Sequence, residues 1–196
     1  MKFVRMQIFS TINVKHMNAT LDNITNWVKL EKADSIVLPE NYYKTRNLFQ
    51  SELNKFMIEA KDPLLTAIVG EIGNNSYDHN LGNWKDITGI IFVCDYENKT
   101  IILADRGLGI KETLSKVKND IQTDEQAVNV ALTEIISGRA PEQRGNGLKF
   151  VSKIVKMKNW YLYLQSGNGS IEISNGNADF TTKPDSVRGC LAVIKY

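Results

Sequence analysis

Two apolar runs, Thr88–Asp95 (TGIIFVCD) and Thr100–Asp105 (TIILAD), are separated only by the polar stretch Tyr96–Lys99. Both are rich in β-branched residues and have strand length. A link this short can only reverse the chain, because a parallel crossover needs a dozen residues or more. The pair is therefore an antiparallel hairpin. Three further strand-like runs follow near the C-terminus, Trp160–Gln165, Ser170–Ser174 and Gly189–Tyr196, with residues 175–188 between the last two read as a loop. Strands that follow one another without a helix between each pair exclude a doubly wound sheet. They predict an α+β two-layer sandwich, with one mixed, mostly antiparallel sheet carrying helices on one face.

Helical periodicity marks the other layer. Thr20–Leu30 places Leu21, Ile24, Trp27 and Val28 on one side, and Lys44–Ala60 places Leu48, Phe49, Leu53, Phe56 and Met57 on one side. Shorter helices are predicted over Lys111–Lys118, Asp124–Ser137 and Gly147–Lys158, the last with Leu148, Val151, Ile154 and Val155 inward. Residues 3–14 and Ser35–Pro39 read as strands. With 196 residues the chain suits one sizeable domain with an extension, and a net charge of +2 gives no footprint for nucleic acid. No run approaches the roughly 20 apolar residues of a membrane span, and the N-terminus lacks the pattern of a signal peptide. Cys94 and Cys190 sit in apolar runs without metal spacing and read as buried free thiols of a cytoplasmic protein.

The chemistry concentrates on Asp62–Asn80, DPLLTAIVGEIGNNSYDHN. Asp62 suits an N-cap and Pro63 the first helical position. Leu65, Ile68, Val69 and Ile72 form an apolar stripe, and Glu71, Asn75 and Asp78 form a polar stripe beside it. The bland reading of that polar stripe is a solvated face. Three later segments change the balance: Asp105-x-Gly107-x-Gly109 after a strand, Gly145-x-Gly147-Leu148 opening a helix, and Gly189 at the start of the last strand.

Together these suit an adenine nucleotide. The Asp105 carboxylate can accept from the exocyclic amine of adenine. Gly107 and Gly109 let the backbone approach the base. Gly145 and Gly147 sit at a helix N-terminus, where free N–H groups favour phosphate oxygens. Mg²⁺ takes few protein oxygens, and Asn75 can supply one. Glu71, one turn earlier, is placed to orient or deprotonate a nucleophile. No GxxxxGK[ST] is present, so the phosphate cradle is not a P-loop. Arg139 and Arg144 precede the phosphate turn, where each can clamp a γ-phosphate or remain solvated. Asp78 and His79 equally suit a helix end. His16 reads as structural or exposed, and Trp27, Trp84 and Trp160 read as packing residues.

The order and spacing resemble the GHKL ATPase superfamily of gyrase B subunits, heat-shock chaperone ATPases, sensor histidine kinases and mismatch-repair ATPases. EIGNNSYDH resembles its N box, ADRGLGI its first glycine box, RGNGLKFV its second and RGCLAVIKY its last strand, over about Ile36–Tyr196. The resemblance implies Glu71 as general base and Asn75 as Mg²⁺ ligand. It implies an ATP site formed with Asp105, Gly107 and Gly109, and with Arg144, Gly145, Asn146, Gly147 and Leu148 of the second box; Asp78 is included as a further candidate. It also implies a lid at 106–144, a GHKL domain at 35–196, and residues 1–34 as an extension packed on or beside it. His79, just after the N box, is similar to a histidine in anti-sigma-factor serine kinases and in some histidine kinases. Lys149, the pair Gly189-Cys190 in place of Gly-Thr, and a helical insertion in the lid depart from the family pattern. The implied function is MgATP hydrolysis by a stand-alone module working with a partner protein or as a homodimer. Two alternatives are a serine/threonine protein kinase of the anti-sigma type and a non-catalytic ATP-gated interaction module.

Overall fold

The computed structural model describes residues 20–31, 41–134 and 147–196. The readings for residues 3–14, His16, Ser35–Pro39, Arg139, Arg144, Gly145 and Asn146 lie outside these. Helix α1 covers residues 20–29. It is followed by β1 (Tyr42–Tyr43), α2 (Arg46–Ala60), α3 (Pro63–Asn80), β2 (Ile90–Asp95) and β3 (Thr100–Asp105). Then come α4 (Ile110–Leu114), α5 (Asp124–Thr133), α6 (Gly147–Met157), β4 (Tyr161–Ser174) and β5 (Asn177–Lys195). The strands form one sheet in the order β1-β2-β3-β5-β4. Every described pairing in it is antiparallel.

Alternation along the strands gives the sheet two apolar faces. Ile90, Phe92, Ile101, Leu103, Leu162, Leu164, Ala192 and Ile194 point to the front, where they pack with α2, α3, α5 and α6 in the main core. Ile91, Ile102, Ala104, Leu191 and Val193 point to the rear, where Ile24, Trp27 and Val28 of α1 cover them. Helix α1 thus lies on the opposite face from the other helices. No described helix is long and apolar enough to cross a membrane.

Helix α3 starts where its local chemistry dictates. The Asp62 carboxylate accepts from the Leu64 and Leu65 amides (3.0 and 3.1 Å), and Pro63 occupies the first turn. Leu65, Ile68 and Val69 are fully buried, and burial of each such side chain contributes about 1.5–3 kcal/mol. Helix α2 departs from its predicted apolar face. Phe49, Leu53 and Phe56 are buried, but Leu48 and Met57 are 54% and 47% exposed. Phe49 fits into the space left by Gly73 on α3, so α2 meets its neighbour along a stripe narrower than its apolar residues span.

The predicted loop over residues 175–188 is instead strand. Residues 175 and 176 make a two-residue turn in which Asn175 and Gly176 both have positive φ, the conformation that an Asn-Gly hairpin favours. The two runs 160–165 and 170–174 are likewise one strand, β4, interrupted by a register irregularity around Gly167. Ile171 and Ile173 of β4 are buried, with Phe180 and Ala178 opposite them. The stretch of β5 just after Phe180 is polar, so hydrophobic alternation does not reveal the return strand there. The N-terminus of α5 lies across it. Asn168 donates its amide to Asp124 (3.1 Å), and Thr182 donates its hydroxyl to Glu125 (2.6 Å). Val128 and Leu132 of α5 belong to the main core, so this part of the stretch expected as a lid is firmly packed.

Candidate functional site

Three of the predicted segments meet at the front of the sheet. Strand β3 delivers Asp105 on the face that α3 covers. Its Oδ2 accepts from Ser76 Oγ on α3 (2.7 Å) and its Oδ1 from the Gly107 amide (2.8 Å). The residue is 2% exposed. Burial pushes its carboxyl above the usual carboxylate range, and the donors from Ser76, Gly107, Cys190 and Asn80 hold it partly back.

The loop after Asp105 is tied down amide by amide. Leu108 donates to Asn80 Oδ1 (2.7 Å), and Asn80 Nδ2 donates to the Ser76 carbonyl one turn back (2.7 Å). Ile110 donates to Ser166 Oγ on β4 (2.8 Å), and that hydroxyl donates to the Gly189 carbonyl (2.9 Å). Gly189 has φ 71, and a Cβ there would stand 2.6 Å from the Gly107 amide nitrogen as well as against Asp105. Only glycine permits both the dihedral and the approach. The pairing of Asp105 with Cys190 sets this contact.

The second half of the site lies where α3 faces the start of α6. A Cβ on Gly147 would sit 2.5 Å from Glu71 Oε2 and 3.7 Å from Asn75 Nδ2. The absent side chain of Gly147 is thus the space that the Glu71 carboxylate enters, with the Asn75 carboxamide beside it. Glu71 is exposed and Asn75 half-buried. Leu148 packs on the edge of the main core, while Lys149 is exposed.

Asp78 goes elsewhere. It pairs with Arg46 of α2, about 200° round the helix from Ser76. Trp84 packs edge-on against Tyr77 and Trp160 against Tyr196. Cys94 and Cys190 are free thiols. Burial pushes the Cys94 thiol up to about 11, and burial with the nearby Asp105 raises that of Cys190. Both stay protonated at neutral pH and are poor nucleophiles. A cleft of about 760 Å³ opens outside the glycine loop, towards Lys29, Lys111 and Arg188, and its lining excludes Glu71, Asn75 and Asp105. Among the described residues no group of three or more His, Cys, Asp or Glu encloses a metal position.

Ser76, Asn80 and Ser166 were not among the residues singled out from the sequence. For two of them a signal existed. Ser76 and Asn80 continue the buried Ile72 stripe at four-residue steps, so polar side chains occupy core-facing positions. Ser166 has no comparable signal, because its partners come from distant segments.

No family model and no curated protein matches the chain. Among solved structures it is similar to the 43K ATPase domain of Thermus thermophilus gyrase B in complex with an aminocoumarin. The identity is 19% and the TM-score 0.39, over 65% of this chain and 32% of that one. The chain thus matches about a third of that protein's length, and the functional reading rests on the site itself.

Proposed function

We propose that the chain binds ATP at the front of the sheet and hydrolyses it with Glu71 as general base. The observation that carries this is the meeting of Glu71 and Asn75 with the N-terminus of α6 at Gly147. It sets an acid and a carboxamide against an end of a helix where unpaired amides favour phosphate.

Asp105 would accept the adenine amine in exchange for one of its present donors, Ser76, Gly107, Cys190 and Asn80, since a carboxylate offers only about four acceptor sites. The buried bonds of Asn80 and Ser166 hold the loop in one conformation, so little ordering is needed when the base arrives. The amides at the start of α6 would take phosphate oxygens. Asn75 would be the one protein ligand of a magnesium ion that keeps most of its waters, and the ion would neutralise phosphate charge when bound. Glu71 would take the proton of the attacking water. Its exposure keeps its oxygens open to that water. A partner's hydroxyl in place of water would make the same residues a kinase.

Calorimetry with MgATP and a phosphate-release assay test the reading. Glu71→Ala is expected to retain binding and to lose about 10²–10⁴-fold in turnover, the usual contribution of a general base. Unchanged turnover would remove Glu71 from the role. Label appearing on a protein rather than as free phosphate would assign transfer instead of hydrolysis. No binding at millimolar MgATP would end the proposal.

A further inference from the structure

Among the described residues, Arg106 is the largest side chain with no exposed surface. It follows Asp105 directly, so the two side chains leave opposite faces of the sheet. Asp105 turns to the front. Arg106 turns to the rear, under α1.

Each nitrogen of its guanidinium donates. Nη2 and Nε donate to Asp86 Oδ2 at 2.6 and 3.1 Å. Nη1 donates to the Trp27 carbonyl and Nη2 to the Leu30 carbonyl (2.8 Å). These carbonyls lie at the C-terminal end of α1, where helix carbonyls lack intrahelical partners and a cation is favoured. The guanidinium also stacks over the Trp27 ring, 5.6 Å from its centroid. A planar fork engaged on this many partners tolerates little displacement. If α1 leaves the rear face, Arg106 must either follow it or exchange the Trp27 and Leu30 carbonyls and the Trp27 ring for water, keeping only Asp86.

Arg106 cannot move alone. Its neighbour Gly107 is pressed against the Asn80 side chain, and the amides of Gly107, Leu108 and Ile110 are bonded to Asp105, Asn80 and Ser166. Packing alone does not require this arrangement, because a buried ion pair can often be replaced by apolar residues of similar volume without loss of stability.

We infer that Arg106 is a positioning residue that makes the docking of α1 and the conformation of the Asp105–Gly109 loop one cooperative unit. Release of α1 from the rear of the sheet then loosens the loop at the front. The consequence for ATP affinity rests on the function proposed above; the coupling itself does not.

The test perturbs α1 and reads the loop in the full-length, nucleotide-free protein. Ile24→Ala leaves a cavity under α1, on the opposite face of the sheet from Asp105; Ile24→Val is the milder version should alanine unfold the chain. Hydrogen exchange is followed at the amides of Gly107, Leu108 and Ile110. With Arg106 present, the Ile24 variant is expected to speed exchange at all three by about tenfold, within the usual range of coupling between sites. In an Arg106→Met/Asp86→Leu background, which keeps the packing and removes the fork, the same Ile24 change should leave the loop amides unaltered. Arg106→Lys, which keeps the charge but not the fork, should behave like the apolar pair. Loop amides that hold while α1 exchanges faster would overturn the inference. Equal acceleration with and without the fork would also overturn it. In a separate arm, Ile24→Ala should weaken MgATP binding about tenfold only when Arg106 is present. If the unaltered protein binds no ATP, the nucleotide reading falls, and the amide measurement still decides the coupling.

Discussion

Replacing Gly147 with alanine separates folding from chemistry at this site. The added methyl carbon would lie 2.5 Å from Glu71 Oε2, against the 3.4 Å at which ordinary contact begins, so the carboxylate must withdraw by about 0.9 Å. It can do so at little cost, because Glu71 is exposed and its side chain is flexible. Gly147 is not among the positive-φ glycines, so alanine meets no backbone strain there. Alanine is also the better helix former by up to about 1 kcal/mol. The variant should melt at the wild-type temperature or a few degrees above it. A misplacement of about 1 Å in a catalytic group costs on the order of a hundredfold in rate, or about 2.7 kcal/mol in the barrier. Single-turnover phosphate release with saturating MgATP, beside thermal melts, measures both quantities. The double variant with Glu71→Ala adds a stricter condition. If the methyl acts by displacing Glu71, then once Glu71 is gone it should cost nothing more. A double variant slower than Glu71→Ala by another hundredfold would refute the reasoning, as would a Gly147→Ala protein with unchanged turnover.

Gly189→Ala should behave in the opposite way. Its φ of 71 and the rigid backbone of Asp105 and Gly107 around it leave no flexible side chain to give, so a loss of at least about 2 kcal/mol is expected in urea unfolding. Asp105→Asn should remove a pH dependence. Burial raises the folded carboxyl above its unfolded value of about 3.9, so wild-type stability relative to the variant should fall as pH rises through the folded value. Paired unfolding curves from pH 4 to 8 check this, and the same variant should lose affinity for ATP more than for GTP. Asp86→Ala should cost about 3 kcal/mol in chemical denaturation, because it leaves the fully buried Arg106 without its anion. The Asp86 carboxyl feels burial, but its bonds to Arg106 and the Ile87 amide outweigh this and hold it below its usual value. Its contribution should therefore be present at neutral pH and disappear as pH falls through that depressed value.

The elements that the residues specify locally could be read without coordinates. The β2–β3 hairpin follows from two strand-forming runs and a four-residue link. The start of α3 follows from Asp62 and Pro63, whose chemistry acts within one turn. The α+β architecture follows because antiparallel neighbours need no crossover. The β4–β5 hairpin was equally local in its Asn175-Gly176 turn, but the polar stretch of β5 after Phe180 hid the return strand from a reading based on apolar alternation. Leu48 and Met57 show the limit of periodicity. An apolar stripe says that some face is buried, while the width actually covered depends on how closely Gly70 and Gly73 let α2 approach. What the tertiary structure alone decided is which distant groups share a space: Gly147 with Glu71, Gly189 with Asp105, and Arg106 with the end of α1. Each of these depends on strand register and on the separation of helix from sheet to within about an ångström. Those distances are set by the packing of the whole core, which no short stretch of sequence encodes.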